Sequence, residues 1–219
     1  MSAAGGVNME IREYGRQDAG TVLIQPVDEH DLEGMDREVA RIREEAGEDF
    51  RLLTFRVQSW NHDLSPWQAP AVWGEEGFGD GAADTLREIL KVCTDRSKTY
   101  YIGGYSLAGL FALWAVYQTD AFAGAAAASP SVWFPGFTDW MKERRPECGT
   151  VYLSLGDREE RTRNPVMATV GDHIRAAYAL LQEQGVDCTL EWNRGNHFRD
   201  NDIRTAKAFA WLIRHRISS

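Results

Sequence analysis

The stretch YYIGGYSLAGLFALWA, Tyr100 to Ala115, decides how this chain is read. An apolar run of β type passes within a few residues into an apolar run of helical type, with Ser106 at the junction and Gly103, Gly104 and Gly109 around it. A residue at such a strand-to-helix apex is held in strained backbone geometry, and its side chain emerges at the carboxyl edge of a sheet. The positions two before and two after it must be small, because the two backbones approach closely there. They are Gly104 and Ala108. The usual pattern is G-x-S-x-G, and Ala108 departs from it by one methyl. That position lies inside the helix and needs no positive φ, so only space is at issue.

Outward from this turn, strands and helices alternate. Thr21 to Val27 and Phe50 to Val57 read as buried strands, and Asp31 to Glu45 carries Leu32, Met35, Val39 and Ile42 at helical spacing. Helical patterns follow at Ala82 to Val92, Leu107 to Tyr117, Val166 to Gln184 and about Asp202 to Ile217. Further strands are expected at Thr99 to Gly103, Phe122 to Ala128, Thr150 to Leu155 and Cys188 to Asn193. Short strands apolar on both faces, separated by helices, predict an α/β fold: a mostly parallel central sheet with helices on both faces. The 219 residues suit one domain, 1–219, able to bury about 70% of its unfolded surface, with residues 1–9 expected to be flexible.

A serine alone is a weak nucleophile. It needs a histidine to accept its proton and an acid to orient that histidine. In hydrolase folds built on such a turn the order along the chain is serine, acid, histidine. Of five histidines, His197 in RGNHF follows a strand and precedes the last helix, with Gly195 to turn the loop. The acid is expected after the strand ending at Leu155, where SLGDREERT supplies three carboxylates. Glu159, about three residues past the turn glycine, is favoured, with Asp157 second and Glu160 third.

Three stretches, GGYSLAGLFAL, AAAASPSVWF and GNHF, resemble the serine esterase branch of the α/β-hydrolase superfamily that includes siderophore esterases, formylglutathione hydrolase-like enzymes and mycolyltransferases. The likeness spans about residues 20 to 215. It implies an α/β-hydrolase fold, Ser106 as nucleophile, His197 as general base and then acid, and an acid from the 157–160 loop. It also implies a small-molecule ester substrate and neither metal nor organic cofactor. Between Phe122 and Val151 the chain has no room for a large cap domain.

The expected reaction is ester hydrolysis through an acyl-enzyme. Acyl transfer by the same residues and a hydrolase-fold protein that binds without turnover are the alternatives. The first oxyanion donor is expected to be the backbone N–H of Leu107. No glycine-rich loop follows the strand at Thr21, so the second donor is placed at Val27 or Asp28. The long stretch from Ser59 to Gly81 leaves the sheet at the edge where Ser106 emerges, and loops of this length are usually functional or disordered. Trp60, His62, Asp63 and Trp67 are its candidate substrate contacts, and packing of Trp60, Trp67 and Trp73 onto the body is the competing reading.

Composition narrows the partners. A net charge of −9 without a basic stripe argues against nucleic acid and acidic membranes, and no apolar run approaches the ~20 residues of a membrane helix. Cys93, Cys148 and Cys188 form no CxxC pair, which points away from a disulfide framework or a zinc cluster and towards buried free thiols. The first ten residues lack a basic segment followed by an apolar one, so a cytoplasmic location is expected. The oligomeric state is not legible.

Overall fold

The structure is a computed structural model and describes residues 9–215. The segment expected to be flexible, apart from Met9, and the last residues of the expected final helix lie outside the described residues. Seven strands form one sheet: β1 (Glu10–Gly15), β2 (Thr21–Val27), β3 (Arg51–Arg56), β4 (Thr99–Tyr105), β5 (Gly124–Ala128), β6 (Thr150–Gly156) and β7 (Asp187–Asn193). Their order is β1-β3-β2-β4-β5-β6-β7. Every pairing is parallel except that of β1 with β3.

The helices are α1 (Glu29–Ala46), α2 (Trp60–Asp63), α3 (Ala82–Leu90), α4 (Leu107–Ala115), α5 (Phe137–Lys142), α6 (Val170–Glu183) and α7 (Asn201–Arg214). They cover both faces of the sheet. On one face Met35, Val39 and Ile42 of α1 meet Phe209 and Leu212 of α7 over Leu23, Tyr101 and Tyr152. On the other, α3, α4, α5 and α6 bury Leu86, Leu110, Phe111, Met141, Ile174 and Leu181 against Ile24, Ile102 and Leu153. Strands buried on both faces explain the absence of alternation in their sequences.

Close approach dictates the glycines of β4. A Cβ at Gly103 would meet Ala126 Cβ and Phe209 Cζ at 2.6 Å each, so residue 103 must be glycine for α7 to lie on the sheet. Between β5 and β6 the only helix is the six-residue α5, so no large cap covers the sheet edge. No helix among the described residues is long and apolar enough to cross a membrane. Cys93, Cys148 and Cys188 are free, and burial pushes their thiols up, to about 12, 12 and 11.

β1 was not anticipated. EIREYG is largely exposed and lacks the apolar alternation of a half-buried strand. Its cross-strand ion pairs, Glu13 to Arg51 at 2.8 Å and Glu10 to Arg56 at 3.4 Å, hold it on β3. Charge on an edge strand also discourages further pairing with other chains.

Candidate active site

β4 ends at Tyr105 and α4 begins at Leu107, so the chain turns within one residue. Ser106 at that apex has φ 59° and ψ −119°, a conformation L residues avoid and one that marks stored strain. The surroundings over-determine it. A Cβ at Gly104 would lie 2.6 Å from Ala108 Cβ, and one at Gly109 would lie 3.0 Å from Gly104 O and 3.1 Å from Ala128 O. Strand and helix therefore touch through Gly104 and Gly109, and the methyl of Ala108 fits because Gly104 has none.

The turn presents Ser106 to the histidine loop. Ser106 Oγ lies 2.9 Å from His197 Nε2, and His197 Nδ1 lies 2.7 Å from Glu159 Oε2. The other oxygen, Glu159 Oε1, accepts from Ser129 Oγ at 2.7 Å, Gly156 N–H at 2.7 Å and Arg204 Nη1 at 3.0 Å. With Glu159 acting as acceptor throughout, Nδ1 must carry the imidazole proton, which leaves Nε2 as the acceptor facing the serine hydroxyl. A second hydroxyl, Ser131 Oγ, lies 3.3 Å from Ser106 Oγ.

Four residues that the sequence reading did not single out hold this arrangement. Arg204 is 2% exposed and pairs with Glu159, itself buried. Its guanidinium also donates to Tyr105 Oη at 3.0 Å and to the Arg194 carbonyl at 3.3 Å. Tyr105 in turn donates its hydroxyl to the His197 carbonyl at 2.7 Å. Burial, reinforced by the nearby Glu159 charge, pushes the Tyr105 hydroxyl up to about 12, so it remains a donor. Ser129, at φ 41°, and Ser131 come from the stretch AAAASPSVWF, which carried part of the family resemblance without a role for either serine. Arg204 was hidden in a helix read for its apolar stripe.

Of the two remaining acid candidates, neither reaches His197. Asp157 Oδ1 accepts from Gly195 N–H at 2.8 Å, Asp157 N–H donates to the Asn193 carbonyl at 2.8 Å, and Arg158 N–H donates to the Gly195 carbonyl at 3.1 Å. Asp157 is thus the fastener between the acid loop and the histidine loop. Glu160 faces Arg175 at 3.6 Å.

The two expected second oxyanion donors are already engaged. Asp28 N–H donates to Asp31 Oδ2 at 3.2 Å while Asp31 N–H donates to Asp28 Oδ1 at 2.8 Å, the reciprocal box that starts α1. Val27 lies in the β2–β3 ladder opposite Arg56, and its carbonyl accepts from Val57 N–H at 3.0 Å. In a parallel ladder a residue bound through its carbonyl turns its N–H to the same neighbouring strand, so this N–H is used too. Leu107 N–H belongs to the first turn of α4, where the helix itself supplies no acceptor.

In the 59–81 loop three of the expected substrate contacts have partners within the fold. Asp63 Oδ2 accepts from Gln58 N–H and Ser59 N–H at 2.9 Å each, and its other oxygen takes His62 Nδ1 at 3.0 Å. The His62 ring lies on Gly79 and Gly81, where any Cβ would come within 2.4–2.5 Å of it. Trp67 donates Nε1–H to the Pro135 carbonyl at 3.0 Å and packs on Phe134, Phe137 and Trp140. These three hold the loop on the body. Trp60 is half-buried against the apolar core. The ring that leads towards the site is Trp73, at 5.5 Å from Trp133, which with Ser129, Met167, Val170 and His197 lines a small cavity of about 20 Å³.

No protein-family model matches the chain, and no curated protein matches it either. Solved structures do. An IroE-like serine hydrolase from Shewanella oneidensis is 14% identical with a TM-score of 0.74, over 94% of this chain and 76% of that one. The siderophore hydrolase EstA from Aspergillus nidulans is 16% identical with a TM-score of 0.63, over 94% of each chain. A Bacillus cereus carboxylesterase is 17% identical with a TM-score of 0.61, over 94% of this chain and 95% of that one. Together with the parallel sheet, its single antiparallel edge strand and the strained serine turn, these likenesses assign the chain the α/β-hydrolase fold.

Proposed function

We propose that this chain is a serine-dependent hydrolase of carboxylic esters that works through an acyl-enzyme. The observation that carries the reading is the hydrogen-bonded line from Ser106 through His197 to Glu159, at 2.9 and 2.7 Å, with the serine at a strained apex. The naming of similar folds as siderophore hydrolase and carboxylesterase supports it.

Ser106 Oγ attacks the ester carbonyl while its proton passes to His197 Nε2. The negative charge that develops on the carbonyl oxygen is met by the N–H of Leu107, the residue after the nucleophile. The imidazolium, oriented and stabilised by Glu159, returns its proton to the departing alkoxide. Water then enters, gives a proton to Nε2, attacks the acyl carbon and frees the acid, restoring the serine hydroxyl. The ester is a small molecule whose acyl or alcohol part rests near the Trp73–Trp133 pair.

The test is reaction with a fluorophosphonate probe and with p-nitrophenyl acetate. The wild type is expected to label on Ser106 and to release nitrophenol, and Ser106→Ala to lose labelling and at least about 10³-fold of the rate. A wild type that neither labels nor turns over leaves a binding protein.

A further inference from the structure

Ser131 is 1% exposed, and its hydroxyl lies 3.3 Å from that of Ser106. The segment that carries it is fixed on several sides. Ser131 N–H donates to the Ser106 carbonyl at 3.1 Å, and the Ser131 carbonyl accepts from Phe134 N–H at 2.9 Å. Pro130 lies against the first turn of α4, where a Cβ at Gly109 would come within 3.2 Å of Pro130 Cα. The nucleophile and this second serine are thus joined by a backbone bond as well as a side-chain contact.

Donor and acceptor counts fix the protons of this cluster. His197 Nδ1–H is donated to Glu159, so Nε2 accepts, and the single proton of Ser106 goes to it. Ser106 Oγ then has only lone pairs to offer a further neighbour. Among the described residues Ser131 Oγ has no other hydrogen-bond partner, so its proton points at Ser106 Oγ. At 3.3 Å the bond is long, as befits a contact that tightens only when its acceptor gains charge. We propose that Ser131 is a further catalytic residue, whose hydroxyl donates to Ser106 Oγ and speeds release of the acyl group from the enzyme.

This role rests on the esterase reading and deepens it. In the acyl-enzyme Ser106 Oγ is an ester oxygen, whose electrons are drawn towards the carbonyl, so it accepts weakly. During deacylation water gives a proton to His197 Nε2 as its oxygen bonds to the acyl carbon. The bond from that carbon to Ser106 Oγ then breaks, its electron pair stays on Oγ, and Oγ recovers the proton from His197. Ser131 keeps its own proton throughout and meets the charge returning to Oγ. A donor that holds the transition state more strongly than the acyl-enzyme lowers this barrier. Acylation starts instead from the free serine, which already accepts from Ser131, so its transition state gains little. A hydrogen bond to a charged acceptor is worth roughly 10–100-fold, and for the partial charge here about 10-fold is expected, on deacylation alone.

The test compares the wild type with Ser131→Ala on p-nitrophenyl acetate. Stopped-flow release of nitrophenol gives the acylation rate constant, and mass spectrometry of acid-quenched protein follows the loss of acetyl from Ser106. Both constants are first order, so the fraction of folded enzyme does not enter them. Ser131→Ala is expected to acylate within about threefold of the wild type and to deacylate about 10-fold more slowly, so that acetyl-enzyme accumulates and kcat and KM fall together. Equal slowing of both steps, or of neither, would overturn the proposal. So would acetyl found on Ser131, which would make it a second nucleophile. A variant that neither acylates nor labels with a fluorophosphonate would overturn it too, in favour of a structural part. A wild type that neither acylates nor labels refutes the esterase reading itself, and the role of Ser131 with it.

Discussion

Replacing Arg204 by leucine removes the guanidinium paired with the buried Glu159. The guanidinium and the carboxylate are 2% and 3% exposed, and their separation is 3.0 Å. Breaking a buried pair by deleting one partner typically costs about 3–5 kcal/mol, because the remaining charge stays buried without compensation. Glu159 keeps its bonds from Ser129, Gly156 and His197, while Tyr105 and the Arg194 carbonyl each lose a donor. The expected loss therefore lies in that same range of about 3–5 kcal/mol, equivalent to a fall of roughly 6–20 °C in Tm for a chain of this size. The assay is urea unfolding at pH 7 of the wild type, Arg204→Leu, Glu159→Gln and the double variant. Because the two groups share one interaction, the double variant is expected to lose about 2–3 kcal/mol less than the two single losses combined. A single-variant cost under about 1 kcal/mol, or strict additivity, would refute the claim that this pair braces the site.

The remaining predictions concern the acid, the turn and acid stability. Glu159→Gln should lower kcat for p-nitrophenyl acetate by about 10²–10⁴, since the imidazole loses the acceptor that orders its tautomer, and Asp157→Asn should change kcat by less than about 10-fold; equal losses in the two variants would show the assignment to be wrong. Gly104→Ala should abolish activity or folding, because its new Cβ would lie 2.6 Å from Ala108 Cβ, and adding Ala108→Gly should restore part of both, as read by circular dichroism and turnover. Burial raises the Asp31 carboxyl to about 6 from an unfolded value of 3.8. A raised folded value stabilises the protonated form, so this contribution is complete below pH 4 and is lost as pH rises to about 6. Allowing for partial exposure it amounts to about 2 kcal/mol. Urea unfolding of Asp31→Asn across that window should lack this loss, and a pH slope identical to wild type would contradict it.

The parts of the fold that could be read in advance were those that local chemistry writes plainly. Gly104, Ser106 and Gly109 announce a strand-to-helix turn because only small residues allow the backbones to touch. Strands such as β2 and β6 carry apolar residues on both faces because both faces are covered. The β1 edge was invisible for the opposite reason, since it is held by ion pairs with Arg51 and Arg56, 38 and 46 residues along the chain and absent from any local pattern. Ser106, His197 and Glu159 were legible from order and loop position. Arg204 and Tyr105 were not, because a buried arginine in an apolar helix and a tyrosine in an apolar strand look like ordinary members of those elements until the third dimension pairs them. Asp63 and Trp67 stayed open in the sequence, because a polar and an aromatic residue in a long loop suit a ligand or a fold equally well, and the partners they have here, Gln58, Ser59 and Pro135, lie within the fold.

The fastening of Asp157 to Gly195, and of Arg158 to the same glycine, has a kinetic meaning. The acid and the histidine stand on two different crossovers of the sheet, yet these bonds make them a single hinged plate. Amide protons of the two segments should therefore exchange with solvent together, as one opening unit. An event that frees either segment is therefore expected to displace Glu159 and His197 together.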